Sequence, residues 1–235
     1  MDHDERTRML IGDEAMSRLA DARVAVFGIG GVGGYVVEAL ARAGIGHLDL
    51  IDNDTVSLSN LNRQIIALRS TIGMYKTEAA ALRIADISPE CEVHTYDVLY
   101  LPDTADMFDF TAYDYIVDAI DNVTGKLTLI ERARDAEVPI ISAMGTGNKL
   151  HPELLELADI YDTSVCPLAR VMRYECRKRG IPHLKVVYSK EEPLKPLSQP
   201  SDTAKPVPGS VSFVPGAAGL IIAGEVIRTV SGQVK

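Results

Sequence analysis

Cysteine and histidine are scarce in this chain of 235 residues, and they are not arranged as a metal site. There are three cysteines and five histidines. The cysteines, Cys91, Cys166 and Cys176, are odd in number and far apart, which argues against a disulfide framework. No two cysteines have the Cys-x-x-Cys spacing typical of structural zinc, so we expect no zinc.

Positive charge is also in short supply. Lys and Arg together number 24 against 33 Asp and Glu, which gives a net charge of −9 at pH 7. This balance predicts a soluble protein without strong non-specific affinity for nucleic acid. It does not exclude a local basic surface.

Long apolar runs are missing as well. The first residues are polar and lack the apolar segment of a signal peptide, so we expect a cytoplasmic protein with no membrane partner. The longest apolar stretch, 211–227, contains Pro215, Gly216 and Glu225 and falls short of a spanning helix. We interpret this stretch as a buried strand, a turn and a core helix.

Strand and helix signals alternate through the first 147 residues. Short apolar runs predict strands, and amphipathic spacing predicts helices between them. The alternation indicates an α/β fold, Rossmann-like and doubly wound, with a mostly parallel sheet and helices on both faces. The predicted strands are 23–27, 47–51, 92–98, 115–119 and 138–143, and the predicted helices are 6–20, 34–43, 76–87 and 127–136.

The pattern changes after residue 147. An extended segment is predicted at 153–160, followed by a helix that begins at Pro167 and is closed by Gly180. The stretch 191–208 holds five prolines among polar residues, which is typical of a mobile loop. We expect one domain over 1–235, with an ATP-binding core at 6–147 and an extension at 148–235 on the substrate or oligomer side.

A glycine loop, Gly28-Ile-Gly-Gly-Val-Gly33, lies between the first predicted strand and the helix after it. Glycines let a backbone approach phosphate closely, and the helix N-terminus supplies N–H donors. Asp52, at the end of the second strand, fits an acceptor for ribose hydroxyls. Both features are equally typical of a nicotinamide-dependent dehydrogenase.

Two cations and a second acidic cluster favour nucleotidyl transfer instead. Arg63 and Lys76 follow the second strand and place positive charge beside the phosphates, as a leaving pyrophosphate requires. Asp121 comes just after the strand that contains Asp118 and can hold Mg²⁺ through carboxylate oxygen. Any one of these residues alone could be a surface charge or a turn former, but together they favour an ATP site.

With these motifs the chain resembles the ubiquitin-activating-like adenylating enzymes, a group that includes the ThiF and MoeB proteins. The matching elements are Gly-x-Gly-Gly-x-Gly, Asp-x-Asp, Asn-x-x-Arg-Gln, Lys76 and Asp-x-x-Asp-Asn, which span residues 6 to about 147. The resemblance implies ATP and Mg²⁺ as ligands and a homodimer as the assembly. It assigns nucleotide contacts to Gly28, Gly30, Gly31, Gly33, Asp52, Asp54, Ser59, Asn60, Arg63, Gln64, Lys76, Asp121 and Asn122.

The same resemblance distributes the chemical roles. Arg63 and Lys76 are the catalytic cations, and Asp121 is the magnesium ligand. Arg6 matches the family's arginine that reaches into the partner subunit's ATP site, with Arg8 as an alternative.

The second half points to one branch of this family. The two Cys-x-x-Cys pairs of most carrier-activating members are missing, whereas segments 158–173 and 208–220 resemble the tRNA threonylcarbamoyladenosine dehydratase branch. That resemblance implies adenylation of the threonyl carboxylate on a modified tRNA adenosine. The substrate's own carbamoyl nitrogen then closes a ring with net loss of water.

Three alternatives stay open. The first is an enzyme that adenylates the Gly-Gly terminus of a ubiquitin-like sulfur carrier. The second is a nicotinamide oxidoreductase, and the third is a nucleotide-binding module without catalysis. A sulfur-transfer partner protein is possible in the dehydratase branch too.

The helix that begins at Pro167 raises two further hypotheses. Cys166 lies near where related activating enzymes carry a thioester cysteine, but a small buried hydrophobe is the preferred interpretation because ring closure needs no thioester. Arg170, Arg173 and Arg177 share one face of this helix, beside Lys178 and Arg179. Such a stripe is commonly a solvated face, and in an enzyme acting on tRNA it is also a candidate for phosphate contact.

Overall fold

The computed structural model describes residues 4–198 and 207–233. Its centre is a seven-stranded sheet with the strand order β3-β2-β1-β4-β5-β7-β6. All neighbouring strands pair parallel except β6 and β7, which are antiparallel. The strands are β1 Arg23–Phe27, β2 His47–Ile51, β3 Glu92–Tyr96, β4 Tyr115–Asp118, β5 Ile140–Ala143, β6 Leu155–Asp159 and β7 Lys185–Ser189.

Helices cover both faces of this sheet, as the alternating pattern predicts. On one face α3, α4 and α7 pack over the side chains of Val24 and Val26. On the other face, Ala25 and Phe27 of the same strand pack under α5 and an aromatic cluster. The helices are α1 Glu5–Ile11, α2 Asp13–Asp21, α3 Gly33–Ala43, α4 Lys76–Ile87, α5 Val123–Asp135, α6 Pro167–Lys178 and α7 Phe213–Val230.

The N-terminal segment differs from its prediction. We expected one helix over 6–20, but the chain breaks at Gly12, whose φ of 84° lies in the region that favours glycine. The second piece, α2, buries Met16 and Leu19. The first piece, α1, buries none of its residues, and Met9 and Leu10 are 78% and 86% exposed.

In the interpretation of 211–227 as a buried strand, a turn and a core helix, the core helix is confirmed, and the strand and the turn are wrong. The described part of this stretch is dominated by one helix, α7, and Pro215 sits in its first turn, where a missing N–H costs no hydrogen bond. By length and composition α7 is a candidate membrane span, but half of it is buried. Its side chains Val214, Ala218, Ile222 and Val226 belong to the main hydrophobic core, so α7 is a core helix.

Two other differences concern the second half and the strand ends. Strand β7 was not among the predicted elements, and it inserts between β5 and β6. The predicted strand 92–98 ends at Tyr96, and the residues after it turn across the edge of the sheet. Of the predicted mobile loop at 191–208, residues 199–206 lie outside the described residues. In the described part, the Glu191 carboxylate accepts hydrogen bonds from the Leu150 and His151 N–H groups.

Candidate nucleotide site

A cavity of about 460 Å³ opens at the carboxyl edge of the sheet, where the strand order reverses between β1 and β4. A doubly wound sheet binds its ligands at this kind of switch point, because the loops after neighbouring strands diverge there. The loops that follow β1, β2, β3 and β4 all contribute to the wall. Most of the predicted site residues line it: Gly28, Gly30, Gly31, Asp52, Asp54, Asn60, Arg63, Gln64, Lys76, Asp121 and Asn122.

The glycine loop is pressed against the end of β4. The Gly28 N–H donates to the Ile51 carbonyl at 2.7 Å, and a Cβ at Gly28 would lie 2.7 Å from the Ala119 carbonyl oxygen. A Cβ at Gly33 would lie 1.8 Å from the Gly28 carbonyl oxygen, so Gly33 supports the loop from behind. A Cβ at Gly30, by contrast, would meet only Gln64 Nε2, at 3.8 Å. The backbone at Gly30 is therefore free to meet a phosphate.

Asp52 joins the glycine loop to the loop that follows β2. One carboxylate oxygen accepts the Ile29 N–H at 2.7 Å, and the other accepts the Asp54 N–H at 2.8 Å. Burial raises the pKa of Asp52, and the nearby Lys76 ammonium offsets only part of that rise. Each oxygen keeps a further lone pair, so a ribose hydroxyl would meet an acceptor whose position is already set.

Lys76, the first residue of α4, carries a buried ammonium into the cavity. Its Nζ lies 2.6 Å from Asp54 Oδ2 and 3.8 Å from Asp52 Oδ1. Asp54 is exposed, whereas the Lys76 backbone is tied down by its N–H donating to the Asp54 carbonyl at 3.0 Å. A bound phosphate would therefore compete with the Asp54 carboxylate for a cation that is already in place.

The segment after β2 supplies an arginine and a buried amide. Arg63 Nη1 donates to the Ser59 carbonyl at 3.0 Å and to Asn62 Oδ1 at 2.9 Å, which leaves Nε and Nη2 to donate to a ligand. Asn60 Oδ1 accepts the Ser57 N–H and so shapes the turn. Gln64 Oε1 is buried and has no hydrogen-bond partner within residues 4–198 and 207–233.

A fully buried ion pair lies beneath the loop that carries Asp121. Lys126 Nζ lies 3.0 Å from both oxygens of Asp118, and it also donates to Ser142 Oγ at 3.2 Å and to the Ala143 carbonyl at 2.8 Å. Asp118 in turn accepts the Ile120 N–H at 3.3 Å. We name Asp118, Lys126 and Ser142 the buried clasp, because they join β4, β5 and α5 under the cavity.

Asp121 stands at the rim of the cavity with its side chain exposed. Among the described residues its carboxylate has no ion pair, and no group of three His, Cys, Asp or Glu side chains is placed to hold a metal. Asn122 caps α5 by accepting the Gly125 N–H at 3.0 Å. A free hard carboxylate beside a phosphate-sized space fits Mg²⁺, whose other ligands would be phosphate oxygens and water.

Three predicted residues do not line the cavity. Gly33 lies behind the loop, and the Ser59 hydroxyl pairs with Ser57 Oγ at 2.9 Å. Arg6 is exposed on α1, away from the residues that form the cavity wall. Conversely, the cavity wall includes residues that were not predicted, among them Val98, Leu99, Tyr100, Ile120, Thr146, Ser210 and Pro215.

Helix α6 begins beside the cavity. Cys166 is buried, and it lies against Gly145, the neighbour of the cavity residue Thr146. Arg173 Nη1 donates to the Thr163 carbonyl at 2.6 Å, so this arginine is held against the protein. Arg170 and Arg177, by contrast, are exposed.

Comparison with known proteins agrees with this geometry. The ThiF family matches residues 4–235. The tRNA threonylcarbamoyladenosine dehydratase of Bacillus subtilis (strain 168) is 40% identical over 233 residues, which cover 94% of this chain and 92% of the relative. The crystal structure of the Escherichia coli tRNA N6-threonylcarbamoyladenosine dehydratase in complex with AMP superposes with a TM-score of 0.90 at 33% identity, covering 98% of this chain and 94% of that one. Its complex with ATP gives 0.89 at 32% identity with the same coverage.

Proposed function

Since the chain belongs to the ThiF family, we propose that it is an ATP-dependent tRNA threonylcarbamoyladenosine dehydratase. The observation that carries the proposal is the cavity at the sheet switch point, where the glycine loop, Asp52, Arg63, Lys76 and Asp121 come together. This set occurs in a chain similar over nearly its whole length to dehydratases of that name, one of which has been crystallised with ATP and with AMP.

In the first step the threonyl carboxylate of the modified adenosine attacks the α-phosphorus of ATP. An acyl–adenylate forms, and the bond between the α- and β-phosphates breaks to release pyrophosphate. Negative charge grows on the phosphate oxygens, and the preset cations Arg63 and Lys76 stabilise it. Lys76 is buried, so its charge acts there with little screening by water.

In the second step the substrate's own carbamoyl nitrogen attacks the activated carboxyl carbon. The new carbon–nitrogen bond closes the ring, AMP leaves with the bridging oxygen, and the nitrogen gives up its proton. The sum is conversion of ATP to AMP and pyrophosphate, with loss of one water from the nucleoside. The nucleophile is tethered to the carbon it attacks, so no side chain of the enzyme is required as a nucleophile.

Asp121 is the residue that would hold Mg²⁺, on the strength of its exposed and unpaired carboxylate among the described residues. When bound, the ion would neutralise charge on the phosphates and orient the leaving group. The Asn122 cap and the buried clasp keep the backbone on either side of Asp121 in place. The reaction would take place in the cytoplasm, where tRNA and ATP are found.

We also propose a homodimer in which Arg6 acts on the partner subunit's site. Helix α1 exposes Met9 and Leu10 almost completely, and apolar side chains in that state favour burial against another surface. A second copy would cover them and bring Arg6 to a site that it does not reach in its own chain.

Mixing two inactive variants tests the shared site. Arg6→Ala and Lys76→Ala should each abolish turnover, because one lacks the arginine in trans and the other the phosphate cation. Mixed and re-associated, they should recover about a quarter of the wild-type rate, since half the dimers are mixed and each has one intact site. Absence of recovery, with mixed dimers shown to form, would exclude action in trans.

The proposed function is tested on tRNA that bears unclosed threonylcarbamoyladenosine. Incubation with ATP and Mg²⁺ should reduce the mass of that nucleoside by one water and should produce one AMP for each ring formed. Omission of ATP is the control. An unchanged nucleoside, with the protein folded and ATP-bound, would contradict the proposal. Release of pyrophosphate with formation of an adenylated carrier, when a Gly-Gly-ending carrier protein is supplied, would then favour the adenylation of such carriers.

A further inference from the structure

One face of α6 concentrates exposed positive charge in an otherwise acidic chain. Tyr174, Arg177 and Lys178 lie four, seven and eight residues after Arg170, so the four residues share one side of the helix. The opposite side buries Ala169, Met172 and Cys176 against the core. We name Arg170, Tyr174, Arg177 and Lys178 the α6 face.

Among the described residues, no acidic side chain forms an ion pair with the cations of the α6 face. Within residues 4–198 and 207–233, none of Arg170, Arg177 and Lys178 forms an ion pair with a carboxylate. The nearest acidic residue on the helix, Glu175, is engaged by Arg179. Elsewhere Arg23, Arg42, Arg83, Arg132, Arg134, Lys185 and Lys190 are all paired with carboxylates. Because no carboxylate neutralises these three cations, the α6 face favours an anionic partner.

An aromatic ring lies among these cations. Tyr174 is 65% exposed and sits between Arg170, four residues before it, and Lys178, four residues after it. Arg177 is stacked over the Tyr161 ring at 5.2 Å, which orients its guanidinium. Exposed rings beside oriented cations are the elements with which proteins hold unpaired bases and their phosphates.

The α6 face starts next to the cavity and leads away from it. Gly145, which precedes the cavity residue Thr146, packs against Cys166 and Leu168 at the first turn of α6. With a rise of 1.5 Å per residue, Arg170 and Arg177 are about 10 Å apart along the axis. That distance corresponds to about three stacked nucleotides.

We propose that the α6 face binds the tRNA strand next to the modified adenosine, with Arg170 and Arg177 on phosphates and Tyr174 stacked on a base. The inference rests on the proposed function. Arg173, the third arginine on the sequence-predicted face of this helix, is not included, because its guanidinium donates to the Thr163 carbonyl. The modified nucleotide must leave its stack to reach the cavity, so the partner is a loop or single-stranded region.

The test compares four variants in binding to tRNA bearing unclosed threonylcarbamoyladenosine, at several salt concentrations. Arg170→Ala/Arg177→Ala should raise the KM for tRNA on the order of tenfold and reduce the salt slope of binding by about 1.4, since each lost contact to single strands accounts for about 0.7. Arg170→Lys/Arg177→Lys should keep the salt slope. Tyr174→Ala should weaken binding about tenfold without changing the slope.

The fourth variant, Arg134→Ala, is the matched control. Arg134 is an exposed helical arginine paired only with Asp135, and its loss should leave the KM for tRNA and the salt slope unchanged. In all four variants ATP affinity should equal that of the wild type, because the α6 face is not part of the nucleotide cavity.

The outcomes distinguish the two proposals. If wild-type protein closes the ring but Arg170→Ala/Arg177→Ala keeps the wild-type KM and salt slope, the α6 inference is overturned and the proposed function stands. If wild-type protein leaves the nucleoside unchanged, the proposed function fails first. Equal losses in Arg134→Ala would show a general charge effect and would also overturn the inference.

Discussion

Replacing Lys126 by methionine tests the buried clasp beneath the nucleotide cavity. Lys126 and Asp118 are both fully buried, and Nζ lies 3.0 Å from each carboxylate oxygen. Methionine fills a similar volume but leaves the carboxylate of Asp118 buried without its cation. Removing one partner of a buried ion pair costs about 3–5 kcal/mol. For a chain of this length that loss lowers the melting temperature by about 6–20 °C.

The clasp also positions the site, so activity should change while the protein is still folded. Asp118 accepts the Ile120 N–H, one residue before Asp121, and Lys126 donates to Ala143 near the Thr146 loop. A displacement of about 1 Å at a catalytic group can cost on the order of a hundredfold in rate. At a temperature where Lys126→Met is folded, we expect the kcat/KM for magnesium–ATP to fall at least about tenfold.

Two further variants measure the ion-pair energy and the effect of losing an exposed lysine. Asp118→Asn/Lys126→Met removes both charges. Its loss of unfolding free energy should be smaller, by about 0.5–3 kcal/mol, than the sum of the losses in Asp118→Asn and Lys126→Met. Lys178→Met, at an exposed helical lysine, should change the free energy of unfolding by no more than about 0.5 kcal/mol. A loss below about 1 kcal/mol in Lys126→Met would refute the energetic reasoning. An unchanged kcat/KM for magnesium–ATP would refute the positioning role.

Three other predictions follow from single residues. Burial opposes the charged form of Glu38, but Arg83 and Arg42 outweigh it and hold its pKa below the usual 4.5, so Glu38→Gln should lower the urea midpoint at neutral pH. Because the pKa of Glu38 in the folded state lies below 4.5, its ionised form stabilises the fold above pH 4.5, and this stabilisation is lost as the pH falls through the folded-state pKa. The urea midpoints of wild type and Glu38→Gln should therefore converge in acid, and a difference between them that does not depend on pH would contradict this. Cys166→Ala should keep kcat, because the thiol is buried and ring closure needs no thioester, and loss of ring closure in the folded variant would contradict that view. Asp121→Asn should raise the Mg²⁺ concentration for half-maximal rate about tenfold or more, and unchanged Mg²⁺ dependence would remove it from the metal site.

The sequence allowed prediction of the parallel half of the sheet, because strands buried on both faces appear as short apolar runs. Strand β2 has the predicted bounds, 47–51, and Asp52 follows it at the carboxyl edge. The nucleotide cavity was foreseeable for the same reason, since topology alone brings the ends of β1, β2 and β4 together.

Other features depend on contacts that local pattern does not reveal. The sequence pattern around Lys126 is typical of a solvated helical lysine. In the structure its ammonium contacts Asp118 and Ser142, which come from two different strands. Val98 to Tyr100 reach the cavity only because the chain turns over the edge of the sheet after Tyr96.

One missed element did leave a local signal. Strand β7 is a run of valine, valine and tyrosine between polar residues, which is typical of a strand. Its insertion between β5 and antiparallel β6, however, follows from tertiary packing.

The proposed function requires the cavity to activate a carboxylate as an acyl–adenylate, and the transfer of an oxygen isotope follows this step. The substrate would be tRNA whose threonyl carboxylate carries ¹⁸O, incubated with ATP, Mg²⁺ and the protein. Ring closure should deliver one ¹⁸O atom to AMP, because the bridging oxygen of the adenylate leaves with the α-phosphate. Ring closure with unlabelled AMP, and the ¹⁸O in orthophosphate, pyrophosphate or water, would contradict it.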